Sequence, residues 1–254
     1  MTHGKKENRE EEWFGYRKVD PKEKTRLVGN VFDSVAARYD LMNDVMSGGV
    51  HRIWKNRFVR LMHPRASKSL LDVAGGTGDI AFRYRKSAGE KAQITVCDIN
   101  KEMLKVGKGR ALDLGYTQSF KWIVGNAEVL PFESRSFHLY SIAFGLRNVG
   151  RIDDALHEAA RVLKPGGQFF CLEFSHLKNI FLQKLYDEYS FRIIPKMGEI
   201  ITQDKDSYEY LVESIRQFPK QDELASRMNS AGFDQVQVIN LSGGIAAIHI
   251  GLKT

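Results

Sequence analysis

From Lys68 onward, short apolar runs alternate with helical patterns, a rhythm that suits a parallel sheet flanked by helices and few other folds. Ser69 to Ala74 reads as the first strand, closed by Gly75-Gly76-Thr77-Gly78, with a helix expected from Asp79. Gln93 to Cys97, Phe120 to Val124, Leu139 to Phe144 and Phe169 to Phe174 follow as strands. Asn100 is suited to N-cap the helix after the second strand, whose Met103, Gly107, Ala111 and Leu114 share a face. Ala155, Leu156, Ala159, Ala160 and Leu163 stripe another helix, which Pro165-Gly166-Gly167 stops. Gln235 to Asn240 and Ile245 to Gly251 close the chain as an antiparallel pair around Ser242-Gly243-Gly244. The expectation is an α/β fold, doubly wound, with a mainly parallel seven-stranded sheet.

Helices are expected on both sides of that core. Val28, Phe32, Val35 and Ala36 have helical spacing, as do Ile53, Phe58, Leu61 and Met62. After the fifth strand come an aromatic-rich helix over Leu182 to Ile193 and a second helix opened by the pair Asp206 and Glu209. That second helix presents Tyr208, Leu211, Val212 and Ile215, and a third runs from Asp222 to Ala231 with Gly232 as its left-handed cap. Residues 13–254 read as one domain, in which 13–66 and 176–232 form lid and substrate elements over the carboxyl ends of the strands.

The 254 residues are 43% apolar and 27% charged, an ordinary globular mix, and no apolar run reaches the roughly 18 residues of a membrane span. Residues 1–12 carry lysines, an arginine and three consecutive glutamates, and read as a solvated tail, neither signal nor transit peptide, on a cytoplasmic protein. The net charge of +7 comes without a dense basic run interleaved with aromatics, so nucleic acid is not an expected partner. Cys97 and Cys171 lie in apolar runs and read as buried, reduced thiols, with no spacing that calls for a metal.

The chemistry begins at Asp72 to Asp79. Gly76 and Gly78 allow a sharp turn and a close backbone approach to a ligand, and Asp98, 20 residues past Gly78, can accept both hydroxyls of a ribose. With Ala81 the spacing also meets the dinucleotide fingerprint, which keeps a nicotinamide-dependent oxidoreductase open. Asp72 and Asp79, however, would repel a diphosphate and favour the sulfonium and ammonium of S-adenosylmethionine. Asn126 and Ala127, after the third strand, are placed to meet an adenine edge, although an ordinary turn would look the same.

Taken together, Asp72 to Gly78, Asp98, Asn126-Ala127 and Pro165-Gly166-Gly167 resemble the class I methyltransferase plan, which also has a terminal antiparallel strand pair. Two longer motifs narrow the likeness: Tyr39-Asp40-Leu41-Met42-Asn43 with Ser47, His51 and Trp54, and Arg161 to Gly167 running on to Glu173 and Ser175. With Phe144 to Val149 and Gly243-Gly244-Ile245, they resemble the UbiE-type quinone C-methyltransferases over roughly residues 14 to 252.

That resemblance implies ring-carbon methylation of a polyprenylated quinol, either a methoxy-polyprenyl-benzoquinol or demethylmenaquinol. It places Thr77, Asp98, Asn126, Ala127 and Ala143 at cofactor positions, with Ala143 standing where many relatives carry Ser. Arg147, helped by Asn148, is the first choice to stabilise a developing phenolate and hold a water as base, unless an acid such as Asp153 or Asp154 pairs with it. His51 and Tyr39, in the expected lid, are further catalytic candidates, though His51 would also serve to orient a loop. A prenylated substrate also implies peripheral contact with the inner face of a bacterial membrane, for which the Leu182–Ile194 helix is a candidate. A homodimer and partner enzymes of quinone synthesis are compatible with the sequence.

Overall fold

A computed structural model describes residues 12–35, 44, 47–116, 118–175 and 205–254. Tyr39 and the aromatic helix expected at Leu182 to Ile193 lie outside the described residues.

The sheet is built from β3 (Leu70–Val73), β4 (Ile94–Asp98), β5 (Phe120–Val124), β6 (Phe137–Ala143), β7 (Leu163–Phe174), β8 (Phe233–Leu241) and β9 (Ala246–Lys253). Their order is β5-β4-β3-β6-β7-β9-β8. The first five are parallel, and β9 runs antiparallel to both β7 and β8. Every residue of β3 and β4 is buried, as central parallel strands covered on both faces require. The expected seven strands are all present.

Side chains alternate between two cores with the period of a pleated strand. Leu70, Ile94, Val96, Phe170 and Leu172 join one core, and Leu71, Val73, Cys97, Phe169 and Cys171 join the other. The first core is covered by α2 (His51–Leu61), α3 (Asp79–Ala88) and α6 (Lys205–Gln217). The second is covered by α5 (Ile152–Val162) and α7 (Gln221–Ser230). Helix α4 (Lys101–Asp113) is N-capped by Asn100, whose side chain accepts from the Met103 amide at 2.9 Å, as the sequence indicated. Both cysteines are free and buried, and burial pushes the Cys97 thiol up to about 12.

Four details depart from the sequence expectation. Pro165-Gly166-Gly167 does not stop α5, which ends at Val162; Leu163 already pairs with Phe137, and the three residues sit in β7 at a register shift. The Pro ring therefore falls where no ladder is continuous, the position a strand tolerates. On α2 the buried face is His51, Trp54, Lys55, Phe58 and Val59, while Ile53 is 65% exposed. The i, i+3, i+4 spacing holds, but two polar residues occupy it, which the apolar pattern could not show. Leu114 follows α4 and is exposed rather than packed. Lastly, Glu12 belongs to the fold. It opens β1 (Glu12–Phe14), which pairs antiparallel with β2 (Arg17–Val19) ahead of α1 (Pro21–Val35). Phe14 stacks on Tyr210 of α6 with ring centroids 4.3 Å apart, which fastens this hairpin to the domain.

The chain winds from β3 outward through β4 to β5, then crosses back to β6 and β7 on the other side. The carboxyl ends of β3 and β6 thus flank a topological switch point, where open α/β sheets bind ligands. Their exit turns touch: a Cβ on Gly145 would lie 2.5 Å from the Ala74 Cβ. Gly145→Val should therefore destabilise the fold by about 1–3 kcal/mol. Chemical denaturation would register this as a lower midpoint with an unchanged slope.

Candidate active site

A cavity of about 340 Å³ opens at this switch point. Its floor is the turn from Val73 to Thr77. Two non-glycine residues there hold left-handed backbone, Ala74 (φ +49°) after β3 and Phe144 (φ +55°) after β6. Such strain persists only where surrounding structure enforces it, and it concentrates at ligand sites. Of the expected cofactor residues, Asp72, Gly76, Thr77, Asp98, Asn126, Ala127 and Ala143 line the cavity. Gly78 does not. It N-caps α3 at φ +84°, and a Cβ there would strike Trp122 at 2.8 Å and Phe82 at 3.0 Å, so its role is packing behind the loop.

The acids are tied into the framework. Asp98 Oδ2 accepts from the Gly76 amide and Oδ1 from the Asn100 amide, both at 2.8 Å. Burial raises Asp98 to about 6, against the pull of these amides. Asp72 lies opposite Ser141 in the β3–β6 register, and Ser141 Oγ donates to Asp72 Oδ1 at 2.6 Å. Its Oδ2 is buried without a hydrogen-bond partner, and burial pushes Asp72 up to about 7. Arg110 donates to Thr77 Oγ1 at 2.8 Å. Asn126 Oδ1 accepts from the Glu128 amide at 3.0 Å, closing the turn after β5. Ala143 brings only a methyl group to the lining.

Asp79 is not the free acid that the sequence suggested. Lys55 Nζ lies 2.8 Å from its Oδ2 and Arg83 Nε 2.8 Å from its Oδ1. Burial alone would raise Asp79, but the two cations hold it below the ordinary range. The cavity nevertheless keeps an acidic surplus: Glu12, Asp72, Asp79, Asp98 and Glu128 against Lys24, Lys55 and Arg151. Sequence reasoning missed Lys55, Lys24, Glu12 and Arg151. None left a local signal, because the buried face of α2 that carries Lys55 differs from the one the apolar spacing suggested.

Asn148 lines the cavity, and its Oδ1 accepts from the Tyr210 hydroxyl at 2.9 Å. Arg147 is not among the lining residues. Its guanidinium is 2% exposed and pairs with Glu173, at 1% exposure, over 2.9 Å, while also donating to the Phe144 carbonyl and lying 5.8 Å from the Phe174 ring centroid. The acid that engages Arg147 is thus Glu173; Asp153 pairs with Arg227 and Asp154 with Arg151. His51 is also outside the lining. Its Nε2 bonds Asp44 Oδ1 at 2.8 Å, and burial and Lys55 lower its pKa despite that carboxylate. Among the described residues, Asn148 therefore faces the cavity, whereas Arg147 and His51 are buried and do not line it.

These residues fit S-adenosylmethionine. Asp98 stands at the β4 end with oxygens that can each accept a further hydrogen bond from a ribose, and the surplus of carboxylates suits a cation. Asp72 carries a cost in the ligand-free fold. Its folded pKa lies above the unfolded 3.8, so the native state binds the extra proton and stability falls as pH rises from about 4 to 7. Asp72→Asn should remove that dependence, so the stability difference should move in its favour by about 3–4 kcal/mol between pH 4 and pH 8 in parallel denaturation series.

Comparisons with known proteins agree with this geometry. The model of the ubiE/COQ5 methyltransferase family matches residues 18–253. The ubiquinone/menaquinone biosynthesis C-methyltransferase UbiE of Brucella abortus (strain S19) is 54% identical over 242 residues, covering 94% of this chain and 90% of that protein. The UbiE of Dinoroseobacter shibae is 54% identical over 240 residues, covering 94% and 96%. Among solved structures, a SAM-dependent methyltransferase from Thermotoga maritima superposes with a TM-score of 0.62 at 19% identity, covering 89% of this chain and 99% of that one. One from Aquifex aeolicus gives 0.59 at 15% identity, covering 93% and 100%, and both likenesses concern the fold. A family match spanning nearly the whole chain, on a sheet and glycine loop of this design, means that the protein belongs to the ubiE/COQ5 methyltransferase family.

Proposed function

We propose that this chain transfers the methyl group of S-adenosylmethionine to a ring carbon of a polyprenylated quinol. The acceptor is 2-methoxy-6-polyprenyl-1,4-benzoquinol, demethylmenaquinol or both, in ubiquinone and menaquinone synthesis. The relatives named above, 54% identical, are named as C-methyltransferases of ubiquinone/menaquinone biosynthesis, which supports this reading. The observation that carries the cofactor half is the acid-rich switch-point cavity with Asp98 at the β4 end. When bound, the cofactor supplies a methyl group on a positively charged sulfur.

The chain's own residues have three tasks: to align the donor, to bind an aromatic diol and to favour its anion, because loss of the hydroxyl proton makes the ring carbon nucleophilic. Alignment contributes about 7–11 kcal/mol in favourable intramolecular systems. Asn148, whose oxygen is engaged by Tyr210, has its amide nitrogen to offer a developing phenolate oxygen. Arg147 acts as a positioning residue, since its pairing with Glu173 and the Phe144 carbonyl holds the turn that presents Asn148. His51 holds the Asp44 carboxylate, and Tyr39 is assigned to quinol contact on its signature position alone.

Incubation with S-adenosylmethionine and a reduced short-chain prenyl quinol should yield a ring C-methyl product by NMR. An O-methyl product, or no turnover with either quinol class, would refute the assignment. Asn148→Ala should lower kcat about 10–100-fold with cofactor affinity nearly unchanged, measured by steady-state kinetics beside calorimetry.

The substrate's prenyl tail places it in a bilayer, and no helix among the described residues is long and apolar enough to cross one. Peripheral contact suits the β1–β2 hairpin, which exposes Trp13 and Tyr16 beside Arg17 and Lys18 next to the cavity-lining Glu12 and Pro21. Trp13→Ser with Tyr16→Ser should weaken sedimentation with anionic vesicles at low salt about tenfold and leave cofactor binding intact. Equal sedimentation of wild type and variant would remove the hairpin from this role.

A further inference from the structure

Strand order orders the cofactor. Adenine is assigned to the β5 end at Asn126–Ala127 and ribose to the β4 end at Asp98, so the remaining part of the ligand must extend over the ends of β3 and β6. That part is an amino acid with a carboxylate. Lys55 stands at this end of the cavity. Its Nζ is 2.8 Å from Asp79 at the start of α3, which follows β3, and 5.9 Å from the centroid of the Phe144 ring, which follows β6.

Asp79 has a second cation besides Lys55, since Arg83 reaches it from the next turn of the same helix at 2.8 Å. Two cations therefore share one carboxylate, and the Lys55 side chain is only 4% exposed. Burying an ammonium is costly unless enough negative charge faces it. A second carboxylate arriving from the cavity would complete the balance. The other lining cations are engaged elsewhere: Lys24 donates to the Val149 carbonyl at 3.2 Å with Glu12 at 3.7 Å, and Arg151 pairs with Glu128 at 3.1 Å.

From this juxtaposition we infer that Lys55 binds the carboxylate of the cofactor's methionine group, a positioning contact that fixes the sulfur above the switch point. The inference rests on the cofactor reading given above. Lys55 reaches this place because α2 turns His51, Trp54, Lys55 and Phe58 inward together, so the buried face carries a cation among core side chains.

Two ligands separate a carboxylate contact from a structural one. S-Adenosylhomocysteine has the amino-acid group without the sulfonium charge, and 5′-methylthioadenosine has the adenosine and sulfur without the amino acid. Calorimetry on wild type and Lys55→Gln should show S-adenosylhomocysteine weakened tenfold or more, about the worth of one charged hydrogen bond, and 5′-methylthioadenosine by less than about threefold. Lys55→Arg should restore most of the loss. Equal weakening of both ligands, or of neither, would overturn the inference. If Lys55→Gln does not fold, Asp79→Asn serves instead. Freed from that acid, Lys55 should hold S-adenosylhomocysteine at least as tightly as in wild type relative to 5′-methylthioadenosine, and a selective loss would overturn the inference. Failure of wild type to bind either ligand would instead remove the cofactor reading.

Discussion

The Gly76 amide donates to Asp98 Oδ2 over 2.8 Å, and this bond joins the turn after β3 to the end of β4. It sets the loop in its left-handed course and places a buried carboxylate beside the cavity in one stroke. Because Asn100 donates its amide to the other oxygen, the carboxylate is oriented before any ligand arrives. Asp72 repeats the device one strand over, with Ser141 as donor across the β3–β6 register. Both acids are raised by burial, so the ligand-free site holds carboxyl groups whose ionised forms are favoured by a cation. The site thus carries a cost in the empty fold that a positively charged ligand offsets.

A second buried contact sustains the opposite wall. Arg147 and Glu173 come from the turn after β6 and from the next strand, β7, and meet almost fully out of water. Desolvation makes such a pair a poor source of net stability, yet losing one member leaves an uncompensated charge. Its value lies in geometry: the guanidinium also takes the Phe144 carbonyl and lies against the Phe174 ring, so the left-handed turn at Phe144 cannot relax. Asn148 then faces the cavity from the following 3₁₀ turn, Leu146–Asn148, with Tyr210 of α6 holding its oxygen.

The amino-terminal segment also lines the cavity, through Glu12, Pro21, Lys24, Val28 and Gly29. Glu12 lies 3.7 Å from Lys24, and Lys24 reaches the Val149 carbonyl. Glu128 accepts from the Gly150 and Arg151 amides and pairs with the Arg151 guanidinium. Burial lowers the Lys24 pKa and raises that of Glu12, the directions expected of charges withdrawn from solvent. Residues distant in sequence thereby complete a lining that the glycine loop only begins.

Much of this was legible along the chain. Short apolar runs marked the strands, the pairing of Asp72 to Gly78 with Asp98 pointed to a nucleoside site, and long motifs pointed to the family, because each is local information carried by neighbouring residues. The Asn100 cap and the left-handed Gly232 followed from the same local rules, whereas most strand ends shifted by one residue or more, and β7 begins six residues early at Leu163. The partners of charged groups did not. That Lys55 neutralises Asp79, that Glu173 rather than Asp153 claims Arg147, and that Gly78 packs on Trp122 instead of lining the cavity depend on segments brought together from far apart. A sequence states which residues prefer to be buried and at what period. Only the tertiary structure decides which charge meets which, since desolvation and contact distance exist only once the layers have packed.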